Sequence, residues 1–317
     1  MNRKEFVSVS IITPFRDNHE ELIQLKSSLD QQTYPGQNIE IIFIDNGSVR
    51  QFTFPDHFFG NIILINENDN LHSPYSARNR GIEAANGDVI VFIDANSRPR
   101  ANWIEKGLIC MRESGSDITA GDVQFELGAT PSASNIVDAL TSLNMQKAVH
   151  DRKVAYTANL FVRKEVFKKI GLFEEKSRSG GDVRWTLKAT ERGHQITYCE
   201  DAVVFKYPRT LRALIKKKIR TGRGYFYTWR NEKDKPIWFY NFFRSLKPPS
   251  LKKWDKNSDR GRMLDKGNKL RIWLLLYIIG IAEQLSFTTE YLRYNLGKQR
   301  DIDRRQQLIK DSEENNH

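Results

Sequence analysis

Three carboxylates stand where this chain could do chemistry. Asp45 ends the run Ile39-Glu40-Ile41-Ile42-Phe43-Ile44 and opens Asp45-Asn46-Gly47-Ser48; Asp94 ends Val89-Ile90-Val91-Phe92-Ile93; Asp182 follows Ser179-Gly180-Gly181. A carboxylate at the rim of a strand can accept hydrogen bonds from a base N–H or a ribose hydroxyl, or hold a hard cation that bridges a diphosphate. One at the mouth of a glycine-rich loop can take a proton from an attacking hydroxyl. Each also has an ordinary structural use, Asp45 as a turn residue, Asp94 and Asp182 as helix caps. Arg78, in Ser76-Ala77-Arg78-Asn79-Arg80-Gly81, offers the forked guanidinium that suits phosphate, or else belongs to a solvated helix face.

These residues need a scaffold that brings strand ends together. Short β-rich runs at Val7–Thr13, Ile39–Ile44, Ile62–Ile65 and Val89–Ile93 alternate with helical patterns, the signature of βαβ units and a largely parallel sheet. Leu22, Leu25 and Leu29 recur at helical spacing behind Asp17 or Asn18 and before Tyr34-Pro35-Gly36; a second helix follows Ser73, with Pro74 in its first turn. Ligands of such sheets bind beyond the carboxyl ends of the strands, so Thr13-Pro14-Phe15-Arg16, Asp45 to Ser48 and Asp94-Ala95-Asn96 are the polar sets to watch. Further on, strands are expected at Asp117–Leu127, Ala155–Val162 and Gln195–Phe205, with helices at Lys164–Ile170 and Asp182–Arg192 and a flexible loop over Ser177–Gly181. From Thr210 onward the chain reads as helical.

A chain of 317 residues, 39% hydrophobic and 28% charged, has the composition of a folded protein and excludes a disordered or membrane-embedded one. The net charge of +11 is lopsided: residues 1–204 carry 23 Lys/Arg against 27 Asp/Glu, residues 205–317 carry 27 against 12. Such a bias points to an anionic partner: a nucleic acid, an acidic membrane surface or a diphosphate-bearing substrate. Cys110 and Cys199 form no close-spaced metal or redox pair, and the polar start Met1–Phe6 lacks an apolar leader, which makes the cytoplasm the expected compartment. Ile272–Ala282 is an apolar run of 11 residues, too short to cross a bilayer core of about 30 Å. With Lys266, Lys269, Arg271, Trp273 and Tyr277 around it, it suits an anionic membrane interface or a buried or oligomer-forming helix.

The ordered set Val9-Ser10-Ile11-Ile12-Thr13-Pro14, Asp45-Asn46-Gly47-Ser48, Ala77-Arg78-Asn79-Arg80-Gly81, Gly87 to Asn96, Ala158 to Arg163, Gly171-Leu172-Phe173-Glu174-Glu175 and Gly181-Asp182 resembles the family 2 glycosyltransferases over about residues 7–210. The resemblance implies an α/β, GT-A-like fold: a Rossmann-like mixed sheet flanked by helices (residues 1–210) with a basic helical C-terminal appendage (residues 211–317). It implies an inverting enzyme that moves one sugar from a nucleoside-diphosphate sugar to a glycan, glycolipid or lipid-linked acceptor. On the positions that match, Thr13, Pro14, Phe15 and Asp45 would hold base and ribose, Arg78 would lie near the nucleotide, Asp94, Ala95 and Asn96 would occupy the metal-binding Asp-x-Asp position, and Asp182 would be the catalytic base.

Two residues depart from that pattern. Asn96 replaces the second, most directly metal-binding aspartate, and Lys206 stands where many relatives place a histidine. Two readings follow: a loosened Mn²⁺ or Mg²⁺ site, or Lys206 itself neutralising the diphosphate, since fixed positive charge of either kind stabilises a developing anion. The run Lys216-Lys217-Lys218-Ile219-Arg220-Thr221-Gly222-Arg223 either borders that anion or is a solvated face. The other function classes are a nucleotide-binding relative without activity, which Asn96 suggests, and a basic nucleic-acid binder. No nucleic acid is expected, because no helix-turn-helix, zinc or RNA-binding signature occurs and Tyr225, Phe226, Tyr227 and Trp229 are clustered rather than spread along a strand.

Overall fold

The computed structural model describes residues 6–53, 61–67, 69, 73–175, 179–229, 247–251 and 262–314, with the backbone alone for 225–229, 266 and 298–314. Ser177 and Arg178 of the expected loop, and the side chains of the aromatic cluster at 225–229, lie outside the described residues.

Eight strands form one sheet: β1 (Val9–Phe15), β2 (Ile39–Asp45), β3 (Ile62–Asn66), β4 (Val89–Ile93), β5 (Ser97–Pro99), β6 (Ile118–Phe125), β7 (Asn159–Arg163) and β8 (Ile196–Lys206), in the spatial order β3-β2-β1-β4-β7-β6-β8-β5. The first four are parallel, β7 runs antiparallel to both β4 and β6, and β5 antiparallel to β8. This is the mixed, helix-flanked sheet expected, and its middle strands read as unbroken apolar runs because both faces are covered.

Alternate side chains serve the two faces. Ile12, Ile42, Phe92 and Leu160 pack against helices α2 (Pro74–Ala84), α6 (Lys164–Ile170) and α7 (Gly181–Glu191) through Ile82, Phe167 and Trp185. Ile11, Phe43, Val91 and Phe161 face α1 (His19–Asp30) and α3 (Trp103–Ser114) through Leu22, Leu25, Trp103 and Met111. Ser73 caps α2, its side chain accepting from Ser76 N at 3.3 Å, and Pro74 takes the first turn, where a missing N–H costs nothing.

The expected elements are largely present, with corrections. Thr13–Phe15 do not follow β1 but end it, because the ladder to β2 continues through the pair Phe15–Asp45. Only residues 159–162 of the expected strand 155–162 pair in the sheet, beginning where β4 supplies a partner in Ile93, and the strand runs one residue further, to Arg163. Unexpected are β5, α3, α4 (Ala133–Thr141) and α5 (Met145–Arg152).

The basic C-terminal region is helical, as α8 (Leu211–Trp229) and α9 (Lys269–Glu314). Leu214, Leu264, Ile272, Leu276 and Ile279 bury themselves against Ile136, Val137 and Leu140 of α4, so the region is packed onto the sheet domain. The two helices touch at Gly222, where a Cβ would stand 2.2 Å from the Glu283 carbonyl oxygen; glycine permits that crossing. The apolar segment is not confined to 11 residues. Beyond Glu283 the helix continues through Leu285, Phe287, Tyr291 and Leu292, and Lys269–Gly297, 29 residues whose most apolar stretch of 18 has mean hydropathy 1.5, is long and apolar enough to cross a membrane by length and composition.

Candidate active site

Asp94 follows β4 directly, and β5 begins three residues later. The antiparallel pairing of β5 with the end of β8, Ser97 opposite Lys206, brings the last residue of β8 beneath the Asp94-Ala95-Asn96 turn. The Lys206 ammonium donates to Asp94 Oδ2 at 2.6 Å and to Asn96 Oδ1 at 3.0 Å, and Arg78 Nη2 of α2 donates to Asp94 Oδ1 at 3.1 Å. Lys206 is 2% exposed, so its charge depends on these partners. Burial opposes the Asp94 carboxylate, but Lys206 and Arg78 more than offset it and hold its carboxyl down at about 2. Burial also pushes the Lys206 ammonium below the ordinary lysine range, with Asp94 acting against that shift.

Asp182 lies in the first turn of α7. It is not the N-cap: Gly180 takes that place in the left-handed conformation at φ 76°. At Gly181 a Cβ would meet the Tyr75 ring at 2.8 Å, so glycine lets the helix start close to α2. Oδ1 of Asp182 accepts from Tyr75 Oη and from Val183 N, each at 3.0 Å. Oδ2 accepts from Thr157 N at 3.1 Å and Thr157 Oγ1 at 3.3 Å. Four donors fix both oxygens in orientation. Burial, and then the Asp182 charge, push the Tyr75 hydroxyl above its ordinary range, so it stays a donor.

A third cluster closes the site and was not singled out in the sequence. Asp138 of α4 is wholly buried and paired with Arg209 Nη1 at 3.2 Å and Lys217 Nζ at 3.4 Å, and accepts from Arg209 N at 2.9 Å. Burial opposes the Asp138 charge, yet Lys217 and Arg209 outweigh it and its carboxyl is lowered. Lys217 itself, nearly enclosed and beside Arg209, is pushed down to about 7. An aspartate inside Asn135-Ile136-Val137-Asp138-Ala139-Leu140 was the available signal, because a carboxylate in an apolar helix face needs a cationic partner.

These groups surround one cavity of about 310 Å³, lined by Tyr75, Arg78, Asp94, Thr157 and Asp182 on one side and by Arg209, Lys217, Lys218 and Arg220 on the other. Of the basic run, Lys217, Lys218 and the exposed Arg220 border the cavity, while Lys216 and Arg223, also exposed, do not. Glu283 of α9 also lines it, accepting from Thr221 Oγ1 at 2.9 Å.

The other expected residues lie beside this cavity, on the neighbouring strand ends. Asp45 Oδ1 accepts from Ser48 N at 2.8 Å, closing the turn. Thr13 is fully buried, and among the described residues its hydroxyl has no hydrogen-bond partner. The Phe15 ring packs on Phe52, centroids 5.4 Å apart, and Ala95 is in the core, so each offers a ligand only its backbone; Pro14 is half-buried. β1 separates β2 from β4, which sets Asp45 and Asp94 about 10 Å apart across the sheet from a strand spacing of ~4.8 Å.

The metal-binding expectation fails a test of fit. Both Asp94 oxygens are in ion pairs and the Asn96 oxygen accepts from Lys206. Among the described residues no three His, Cys, Asp or Glu side chains converge in a way that could hold a metal ion.

Residues 10–171 match the family described as glycosyl transferase family 2, and a glycosyltransferase of Haloferax volcanii, AglE, is 30% identical over 90% of this chain and 96% of its own length. The chain belongs to glycosyl transferase family 2. It is a glycosyltransferase. The pre-mycofactocin glycosyltransferase of Mycobacterium tuberculosis is 28% identical over 68% of the chain and 46% of its own length. Among solved structures, the mannosyltransferase PcManGT of Pyrobaculum calidifontis, in complex with GDP-Man and Mn²⁺, superposes with a TM-score of 0.61 at 15% identity over 90% of this chain and 88% of that one. Residues 1–349 of S. aureus TarS, in complex with UDP-GlcNAc, give 0.52 at 14% identity, covering 92% of each chain. At that identity the likeness is one of fold, and it is the GT-A fold expected for this glycosyltransferase.

Proposed function

We propose that this enzyme transfers one sugar from a nucleoside-diphosphate sugar to a hydroxyl of a glycan or lipid-linked acceptor, with inversion. The observation that carries the reading is that one cavity holds both a firmly oriented carboxylate, Asp182, and the cations Arg78, Arg209 and Lys217. Thr13 to Phe15 and Asp45 hold the nucleoside; the span to Asp94 suits a nucleoside whose diphosphate reaches Arg78. The structures bound to GDP-Man and UDP-GlcNAc support this class of donor.

In the transfer, the acceptor oxygen attacks the anomeric carbon as its proton passes to Asp182, and the bond to the diphosphate breaks with its electron pair staying on the leaving oxygen. All four hydrogen-bonding positions of the carboxylate are occupied, so the acceptor hydroxyl displaces the longest donor, Thr157 Oγ1 at 3.3 Å. Arg78 and Arg209 line the cavity where the leaving charge develops, and fixed cations there stabilise it without reorganising.

Residues 1–210 are the catalytic unit in this reading, and 211–317 add the basic wall and α9. Leu270, Leu274, Ile278, Leu285, Leu292 and Leu296 form an exposed stripe along α9, near Lys269, Arg271 and Arg293. The opposite side of the same helix holds Ile272, Leu276 and Ile279 in the protein core. A helix so docked lies along an anionic membrane surface rather than crossing it, which would put the acceptor on a cytoplasmic face.

The test is a panel of UDP-, GDP- and dTDP-sugars assayed with glycan and polyprenyl-linked acceptors for release of the nucleoside diphosphate. Release that depends on acceptor is expected for one donor. Absence of nucleoside-diphosphate binding across the panel would sink the reading.

A further inference from the structure

The family's usual way to hold a departing diphosphate is a divalent ion, and the place for it is filled here by a side chain. Lys206 Nζ bridges Asp94 Oδ2 and Asn96 Oδ1 at 2.6 and 3.0 Å, the two polar side chains of the Asp-x-Asp position. Asn96 is the neutral member that this arrangement calls for. A second carboxylate at this point would cancel the one positive charge by which the ammonium and the guanidinium exceed Asp94. Lys206 is enclosed by protein, and an ion entering the site would have to displace a bonded ammonium into a buried space, against its electrostatic preference.

The positive charge that faces substrate comes from two matching clamps. Asp94 sits between Lys206 and Arg78; Asp138 sits between Arg209 and Lys217. Four basic side chains against two carboxylates leave a surplus of two positive charges below about pH 7, where Lys217 is protonated, and of one above it. Arg78, Arg209 and Lys217 line the cavity, while Lys206 does not, so their parts differ. The buried ammonium neutralises and orients Asp94, and Asp94 in turn orients Arg78.

We propose that this glycosyltransferase works without a metal ion: Lys206 occupies the cation position as a positioning residue, and Arg78, Arg209 and Lys217 receive the negative charge of the departing diphosphate. This rests on the nucleotide-sugar reading above. When the anomeric bond breaks, the diphosphate keeps the electron pair, and its new charge is met by hydrogen bonds already held in place by Asp94 and Asp138.

The experiment uses the full chain. Binding of UDP and GDP is measured by calorimetry in EDTA and again in Mn²⁺, and protein-bound Mn²⁺ is followed by electron paramagnetic resonance. The expected result is the same affinity in both buffers, no Mn²⁺ bound by the protein, and transfer unaffected by chelator. Lys206→Ala should bind nucleotide more weakly in EDTA and regain affinity in Mn²⁺, with a protein-bound Mn²⁺ signal. In case that variant fails to fold, Arg209→Gln should weaken binding about tenfold or more, as expected for a lost charge-assisted hydrogen bond, with no rescue by Mn²⁺. Nucleotide binding that requires Mn²⁺ in the parent protein, with a bound-metal signal, overturns the inference but keeps the nucleotide-sugar reading. No binding in either buffer overturns both.

Discussion

Replacing Asp182 by Asn removes the proposed proton acceptor, and the structure shows what else it does. The carboxylate receives hydrogen bonds from Tyr75 Oη, Val183 N, Thr157 N and Thr157 Oγ1. An amide has one accepting oxygen, so its NH₂ must face either the Tyr75–Val183 pair or the Thr157 pair. The hydroxyl of that pair can turn to accept from the NH₂, but its backbone N–H, of Val183 or of Thr157, loses its partner, and the fold should lose roughly 1–3 kcal/mol. A domain of ordinary stability, ~5–15 kcal/mol, still leaves nearly all molecules folded after such a loss. The rate should nonetheless fall by about 10²–10⁴, the usual contribution of a positioned general base. Initial rates of nucleoside-diphosphate release, donor affinity by calorimetry and the melting temperature separate the two effects. The expected pattern is a large loss of kcat, a small change in donor affinity and a melting point lower by several degrees. Tyr75→Phe, which removes one donor and no base, should keep most of the rate. An Asp182→Asn protein that is folded and transfers within a few-fold of the parent would show that the carboxylate only braces the start of α7.

Gly222→Ala should push α9 away from α8, because the new methyl would meet the Glu283 carbonyl at 2.2 Å; a loss of about 1–3 kcal/mol, as for other overpacked contacts, is expected in chemical denaturation. Lys217, pushed down to about 7, is charged below that pH and increasingly neutral above it. Nucleoside-diphosphate affinity should therefore fall as pH rises from 6 to 8.5, and Lys217→Met should flatten that profile by lowering affinity at the acid end. A triple Leu274→Glu, Ile278→Glu, Leu285→Glu variant should leave donor binding unchanged and abolish cosedimentation with anionic vesicles; retained cosedimentation would remove α9 as the contact.

The parallel strands were legible because their β-branched runs are short, apolar and closed by polar turns, and Val89–Ile93 is recovered without error. Asp94, Arg78 and Asp182 were legible as rim and loop residues, and the structure brings them to one cavity. What remained hidden depends on contacts distant in sequence. The meeting of Lys206 with Asn96 needs the three-residue strand β5, too brief for any periodic signal. Asp138 looks like one polar residue in an apolar helix until Arg209 and Lys217 arrive from more than 70 positions away. Helix α3 carries Trp103, Ile104 and Met111 at helical spacing, a pattern legible in the sequence. An apolar run that stops before Glu283 understates the length of α9, because a helix accepts an acidic residue that has Lys218 and Thr221 for partners.

The reversal of direction at β7 has a bearing on how such enzymes diversify. Every residue assigned to the donor up to that strand, from Thr13 to Asn96, comes from the chain before it, on parallel strands and their first helices. The groups on the acceptor side, Thr157 and Asp182, come from the chain adjacent to or beyond it, and so do Arg209 and Lys217 beside the diphosphate. Exchanging the later segment would then alter the recipient of the sugar while leaving the nucleoside contacts and Arg78 in place. Lys206, with Arg209 and Lys217, sets the boundary conditions for any such recombination, because it travels with the later half yet completes the earlier one. A chimera joined at β7 with a histidine-bearing relative would have to carry an aspartate at position 96 to match its new partner.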